Sequence, residues 1–239
     1  NKTKRDVALI LSEKVGTAAA VYTTNLVKGA PILVDMENLA DGKAQAIIVN
    51  SGNANTCNAD GVEKAMQMCK IAARQCAVLP SNVIVASTGV IGMPLDVTPI
   101  EKSIGQLYWD LEHSVAGSRN AAEAIMTTDT TIKEVAVEFE LGGKVCRMGG
   151  IAKGSGMIHP NLATMLIFIT SDVAISSEML QKALKADVNK TFNMISVDGD
   201  TSTNDTVAII SNGMAGNKLI NNKKKEKNVE VTKEIKLLK

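Results

Sequence analysis

The 239-residue sequence predicts a layered α+β fold, because strand-like and helix-like segments follow one another without regular β-α-β alternation. Apolar residues make up 45% of the chain and charged residues 21%, which is typical of a globular protein. Aromatic residues make up only 3%, so Ala, Val, Ile and Met must fill the core. We expect one main domain over residues 1–220. The lysine-rich segment 221–239 is then either a solvated tail or the start of a further region.

The spacing of apolar residues predicts the individual elements. Gly142–Gly143 is typical of a hairpin turn between two strands, and Gly149–Gly156 of a glycine-rich loop. Strands are predicted at eight short apolar runs: Val7–Leu11, Ala18–Thr23, Ala46–Asn50, Val83–Ser87, Glu134–Glu140, Lys144–Met148, Thr164–Thr170 and Val207–Ser211. Helices are predicted at Gly61–Val78, from Asp96–Pro99 towards His113, at Ser118–Met126, and from Ser176 or Ser177 to about Phe192.

Charge and cysteine content narrow the classes of function. A formal net charge of +1 gives no case for nucleic acid or an anionic membrane as a partner. No apolar run reaches the ~18 residues that a membrane span needs. The four cysteines form no C-x-x-C pair, and Cys69 and Cys76 lie on the apolar face of a predicted helix. We therefore expect no metal site and a reduced, cytoplasmic setting.

The most informative segment is residues 153–172, in which Thr164 stands where a loop enters a buried strand. A threonine hydroxyl there can attack the carbonyl group before it, through an ester that water cleaves. The freed Thr164 would then carry both a hydroxyl nucleophile and an α-amine of pKa ~8 that can act as its base. The alternative is that Thr164 is a β-branched residue that only opens a strand.

Five separated motifs give the chain a close resemblance to the ornithine acetyltransferase family, also called glutamate N-acetyltransferase. They are residues 49–55, 86–92, 126–130, 153–172 and 197–205. The resemblance implies a layered α/β sandwich of the N-terminal-nucleophile-hydrolase type, shared by ornithine acetyltransferases and aminopeptidases. It also implies self-cleavage between Ala163 and Thr164, into an alpha chain of residues 1–163 and a beta chain that starts at 164.

The same resemblance assigns further site residues. Thr88 and Gly89 would form the oxyanion hole, and a hydroxyl beside a glycine N–H suits that chemistry. Lys153 and Thr127 would bind substrate together with Thr164. Each assignment has a structural alternative: a turn that ends a strand at Ser-Thr-Gly, a solvated Lys153, and a helix-capping cluster around Thr127.

Three aspartates and a histidine stay open on sequence alone. Asp198, Asp200 and Asp205 resemble calcium ligands at first, but the EF-hand pattern fails because Ser202 occupies a ligand position and no Glu closes the loop. Turn-forming or site-supporting roles fit them better. His159 is either a loop residue or an aid to the cut.

The resemblance implies transfer of acetyl from N-acetylornithine to glutamate through an acetyl-Thr164 intermediate. It implies no cofactor, with acetyl-CoA a further donor in some members, and assembly of two alpha and two beta chains. Family members continue beyond position 239 with more substrate-binding residues, an acidic one among them. Two alternatives follow: an amidase or aminopeptidase of the same fold, and an inactive truncated homologue that serves as a binding subunit.

Overall fold

The computed structural model describes residues 5–156, 165–195, 197–198, 201–222 and 236–238. Within these ranges the chain forms eight strands and five helices. The strands are β1 (Val7–Tyr22), β2 (Lys43–Asn50), β3 (Val83–Ser87), β4 (Lys133–Leu141), β5 (Lys144–Lys153), β6 (Leu166–Ser171), β7 (Thr206–Ser211) and β8 (Lys236–Leu238). The helices are α1 (Ala30–Asn38), α2 (Gly61–Cys76), α3 (Thr98–Trp109), α4 (Val115–Ala124) and α5 (Ser177–Val188).

All eight strands join one hydrogen-bonded sheet in the order β3-β2-β1-β7-β6-β5-β4-β8. The pairs β2–β3 and β6–β7 are parallel, and the chain crosses between their strands through α2 and α5 respectively. The other neighbours are antiparallel. Strands β7 and β6 therefore lie between β1 and β5, although they come after both in the chain.

Strand β1 divides the sheet into two limbs. Its first part, up to Leu11, pairs with β2, and Gly16 and Thr17 resume that pairing. Its last part, Thr17–Tyr22, pairs with β7. Between Leu11 and Gly16 the register slips, since these residues face Ala46 and Ala44. Such an irregularity bends a strand. We call β3, β2 and the start of β1 the first limb, and the end of β1 with β7, β6, β5 and β4 the second limb.

The side-chain alternation along the strands separates three apolar layers. One face of both limbs buries the same cluster, in which Ile47 and Ile84 of the first limb share a core with Phe168 and Ile210 of the second. The opposite face of the first limb packs on α1, α2 and α3. The opposite face of the second limb packs on α5, through Leu180, Leu184 and Val188. The order of layers is helix, sheet, sheet, helix, which confirms the layered α+β prediction.

Most predicted elements are confirmed, and β3 and the Gly142–Gly143 turn fall where expected. Two predictions were wrong in form. The two strands predicted at Val7–Leu11 and Ala18–Thr23 are one bent strand, and most of the predicted loop Gly149–Gly156 belongs to β5. Helix α1 was not predicted. The boundary at residue 220 stays a prediction.

Candidate active site

The predicted site residues lie where strands of the two limbs end. Lys153 is the last residue of β5, and the register places it beside Leu166 of β6, which in turn pairs with Thr206 of β7. Met165 and Asp205 each come directly before these strand starts, so they share this edge of the second limb. Thr88 directly follows β3 of the first limb. The Lys153 Nζ donates a hydrogen bond to the Thr88 Oγ1 at 3.1 Å, which joins the two limbs at this point.

Lys153 is buried, with 2% of its surface exposed. An ammonium group rarely leaves water unless polar partners replace its hydration. The Thr88 hydroxyl is one such partner, and the charge of Lys153 also acts on the Asp205 carboxyl. The alternative that Lys153 is a solvated loop residue is therefore wrong.

The backbone at Thr88 and Gly89 is tightly held. The Thr88 N–H donates to the Asn50 carbonyl at 2.8 Å, which ties the end of β3 to the end of β2. Gly89 has a φ of +122°, and a Cβ there would lie 2.7 Å from the carbonyl carbon of Gly52. Only glycine fits this conformation and this close approach. The turn therefore presents the Thr88 hydroxyl and the Gly89 backbone with little freedom.

The segment around Thr127 is fixed beside Lys153 by Asp129. The Asp129 carboxylate accepts the N–H groups of Gly154 at 2.8 Å and Thr127 at 3.3 Å, and pairs with Lys133 at 2.6 Å. Partial burial tends to raise the pKa of Asp129, but these hydrogen bonds outweigh it, so the pKa lies below its ordinary value. Thr127 is thereby held next to the residue that follows Lys153.

Asp205 is a titratable group that lies where β6 and β7 begin, beside the end of β5. It is 1% exposed, and its Oδ1 accepts the N–H of Met165 at 2.9 Å. Burial raises the pKa of Asp205 to about 7, against the opposing effects of the Met165 N–H, the nearby Ser202 hydroxyl and the Lys153 charge. Of the two roles that the sequence left open for Asp205, support of a site fits this position.

Asn204 is a site-organising residue that sequence reasoning missed. Its buried Nδ2 donates to the carbonyls of Ala54 at 2.6 Å and Ser87 at 2.8 Å. Its Oδ1 accepts the hydroxyls of Thr56 and Thr203, each at 2.6 Å. One side chain thus ties the loop after β2 and the end of β3 to the start of β7. No local signal separates such an asparagine from an ordinary turn residue.

Several predicted positions lie outside the described residues. Ala163, Thr164 and His159 fall in 157–164, and Asp200 falls in another gap. The described part of the site nevertheless reaches Met165, whose amide nitrogen is bonded directly to the carbonyl carbon of Thr164.

Within the described residues, no three His, Cys, Asp or Glu side chains lie close enough together to hold a metal ion. No described helix is long and apolar enough to cross a membrane. All four cysteines carry free thiols.

The four layers, with a site where the strands of both limbs end, define an N-terminal-nucleophile-hydrolase-like α/β protein. A model of the ArgJ family matches residues 1–238, and the chain belongs to that family. It is 51% identical over 220 residues to the arginine biosynthesis bifunctional protein ArgJ of Caldanaerobacter subterraneus subsp. tengcongensis, covering 92% of this chain and 54% of that protein. It is 50% identical over 216 residues to a glutamate N-acetyltransferase of Methanocaldococcus jannaschii, covering 89% and 54%. The chain thus spans about half the length of these curated relatives.

Solved structures agree with the fold. The ArgJ protein of Bacillus halodurans superposes with a TM-score of 0.64 at 40% identity, over 70% of this chain and 85% of that one. The ornithine acetyltransferase of Mycobacterium tuberculosis, solved in complex with ornithine, superposes with a TM-score of 0.57 at 30% identity, over 66% and 84%. The predicted family resemblance and the predicted fold type are confirmed.

Proposed function

We propose that this chain carries the nucleophile half of an acetyltransferase that moves acetyl from N-acetylornithine to glutamate. The observation that carries the proposal is the buried contact between Lys153 and Thr88, since Lys153 pairs in the sheet with Leu166, two residues after Thr164. In this proposal the bond between Ala163 and Thr164 is cut first. The names of the relatives, arginine biosynthesis bifunctional protein and glutamate N-acetyltransferase, support the same reaction.

Each residue has a role that its chemistry supports. The Thr164 hydroxyl forms a bond to the acetyl carbon of N-acetylornithine while its proton passes to the Thr164 α-amine. The Thr88 hydroxyl and the Gly89 N–H stabilise the negative oxygen of the tetrahedral intermediate. The bond from the acetyl carbon to the ornithine nitrogen then breaks, and that nitrogen takes the proton. Glutamate reverses the sequence, and its amine leaves acetylated.

Lys153 and Thr127 bind the amino-acid portion of the substrate in this proposal. The buried Lys153 ammonium is suited to a carboxylate, because a charge pair gains strength where water is excluded. The rigid placement of the Thr127 segment by Asp129 supports a binding role, since a positioned hydroxyl loses little freedom when substrate arrives.

The direct test is intact mass and denaturing electrophoresis of the purified protein. By proportion, a 25.3 kDa chain cut after residue 163 of 239 gives pieces of about 17 and about 8 kDa. The smaller piece should gain one acetyl group when N-acetylornithine is added and lose it when glutamate follows. Thr164→Ala should stay uncut and unlabelled, whereas Thr98→Ala, at the exposed start of α3, should behave as wild type. An uncut wild-type chain that takes no label would refute the proposal.

The same experiment separates transfer from hydrolysis. Acetyl lost to water as fast as to glutamate would favour an amidase. We further propose that the two pieces assemble as two alpha and two beta chains. In this proposal the enzyme needs no cofactor, although acetyl-CoA can serve as an acetyl donor. The enzyme is also proposed to work in the cytoplasm. Free thiols at all four cysteines support a reducing compartment. Native mass spectrometry and an assay with acetyl-CoA alone test the assembly and the donor.

A further inference from the structure

The pairing of β4 with β5 ends one residue before Lys153. The last pair at this end joins Lys133, the first residue of β4, to Ala152 of β5. On its other side, Lys153 still pairs with Leu166 of β6. Beyond the Lys133–Ala152 pair, the connection between the two chain segments is made by side chains.

Two side chains from the turn before β4 make this connection. The Asp129 Oδ1 accepts the N–H of Gly154 at 2.8 Å, and the hydroxyls of Thr128 and Ser155 form a hydrogen bond of 2.6 Å. Consecutive residues of one segment thus meet consecutive residues of the other in antiparallel order, as in the strand pairing that they extend. The turn before β4 is therefore bound to the residues that directly follow the end of β5.

The two oxygens of the Asp129 carboxylate hold different segments. Oδ2 accepts the N–H of Thr127 at 3.3 Å, within the turn, whereas Oδ1 accepts the N–H of Gly154. Oδ1 also pairs with the Lys133 ammonium at 2.6 Å, and none of the Asp129 side chain is exposed. One planar group therefore sets the distance between Thr127 and the residue that follows Lys153.

A carboxylate is needed for both contacts of Asp129. An asparagine has the same size but only one acceptor oxygen, and its amide group carries N–H donors in place of the second oxygen. It could accept one of the two backbone N–H groups and would turn a donor towards the other. A buried donor without an acceptor destabilises the arrangement, so the two segments would move apart.

We propose that Asp129 is a positioning residue for substrate, which keeps the Thr127 hydroxyl and the Lys153 ammonium at one fixed separation before the substrate arrives. The inference rests on the proposed function, in which these two residues bind the amino-acid portion. Groups that are already in place lose little conformational freedom on binding. Affinity therefore depends on Asp129, although both of its oxygens are engaged by the protein itself.

The chemistry of the site predicts which kinetic constant depends on Asp129. The amino-acid portion of the substrate keeps its carboxylate while the acetyl group is transferred. Thr127 and Lys153 therefore bind the ground state and the transition state equally well. Loss of such uniform binding raises KM and leaves kcat unchanged, whereas loss of a group that acts on the acetyl carbon lowers kcat.

The test compares wild type with Asp129→Asn, Lys133→Met, Thr128→Val and Asp172→Asn. Lys133→Met removes the ion pair but leaves both backbone contacts of Asp129. Asp172 is the matched control, because its Oδ1 also accepts a backbone N–H of β5, that of Arg147 at 2.7 Å, towards the other end of the strand. Steady-state kinetics follow acetyl transfer from N-acetylornithine to glutamate, and isothermal titration calorimetry measures ornithine binding. Thermal unfolding establishes which variants are folded.

We expect Asp129→Asn to raise the KM for N-acetylornithine and the Kd for ornithine at least about tenfold, with kcat changed less than about twofold. Thr128→Val breaks one hydrogen bond on the surface and should raise the same two constants about threefold. Lys133→Met should raise them less than about threefold, because a partly exposed ion pair contributes little. Asp172→Asn should keep the wild-type constants.

A folded Asp129→Asn protein with wild-type KM and Kd would overturn the inference. If Asp129→Asn does not fold, wild-type constants in Thr128→Val would overturn it instead. A fall in kcat at unchanged KM would do so too, because Asp129 would then act on the reacting group. An equal weakening in Asp172→Asn would trace the effect to β5 in general.

Failure of the proposed function is a distinguishable result. A wild-type chain that binds ornithine but transfers no acetyl would refute the transfer reaction, and the Kd values of the variants would still decide the role of Asp129. A wild-type chain that neither binds ornithine nor transfers acetyl would overturn both.

Discussion

Replacement of Asn204 by alanine should weaken the whole fold, because one side chain joins three segments that are far apart in sequence. The change removes four short hydrogen bonds, two donated by Nδ2 and two accepted by Oδ1. It also leaves the buried carbonyls of Ala54 and Ser87 without this donor. A net contribution of about 1 kcal/mol per bond predicts a loss of about 3–4 kcal/mol in the free energy of unfolding. For a chain of this length that is a fall in Tm of roughly 6–16 °C.

Urea unfolding followed by far-UV circular dichroism measures this loss. Tryptophan fluorescence is a poor probe of this unfolding, because the only tryptophan, Trp109, is 81% exposed in the folded chain and its surroundings change little on unfolding. Asn222→Ala is the matched control, since it removes one exposed hydrogen bond to Glu178. It should change the free energy of unfolding by less than about 0.5 kcal/mol.

Asn204→Asp sharpens the test. It keeps acceptors for the hydroxyls of Thr56 and Thr203 but aims a carboxylate oxygen at two carbonyls, so it should be no more stable than the alanine variant. A loss below about 1 kcal/mol for Asn204→Ala, with an unchanged denaturant slope, would refute the reasoning. The three segments would then be held by their own backbone contacts.

Three further predictions follow from the site. Gly89→Ala should destabilise the protein by about 2–4 kcal/mol, because the added Cβ meets a positive φ and clashes with the backbone. Gly92 also has a positive φ, but an added Cβ there has open space, so Gly92→Ala should destabilise the protein by only about 1 kcal/mol. Thermal unfolding measures both changes. Wild-type stability should fall by up to a few kcal/mol as pH rises from about 4 to about 7, because native Asp205 keeps its proton to about pH 7 whereas an unfolded carboxyl loses it near 3.8. In urea unfolding, Asp205→Asn should lose this part of the slope and keep the part that comes from Asp35, whose pKa burial also raises. Lys153→Met should raise the pKa of Asp205, since it removes the charge that lowers it, and should move the end of that slope to higher pH; an unmoved slope would show that Lys153 does not act on Asp205.

The sequence predicted the fold where the signal is local. The continuous apolar run of β3 and the apolar face of α2 are such signals, and both elements appear close to their predicted bounds. Helix α1 was missed because it begins without a side-chain cap, and its run Pro31-Ile-Leu-Val34 has the composition of a strand. Its helical form depends on packing against the first limb, which sequence spacing does not reveal.

The glycines of β5 misled the prediction for a similar reason. Gly149 and Gly150 suggested a loop, yet both pair with β4 on one side and with β6 on the other. Hydrogen bonds on both edges outweigh the weak strand preference of glycine. At the site, motifs indicated Lys153 and Thr88 as separate candidates. Their contact, and the positions of Asn204 and Asp205, depend on how β1 bends, which is a property of the whole sheet.

The interleaved strand order determines what a cut before residue 164 would leave behind. Strands β6, β7 and β8 would belong to the later piece, and each pairs with a strand of the earlier piece: β6 with β5 and β7 with β1 through six residue pairs each, and β8 with β4 through three. The two pieces could therefore separate only if the sheet broke at all three of these strand pairs. The earlier piece alone would expose unpaired edges on β1 and β5, and exposed strand edges pair with other chains and lead to aggregation. If the chain is cut before residue 164, production of the two pieces from separate genes should yield folded protein only when both are made together.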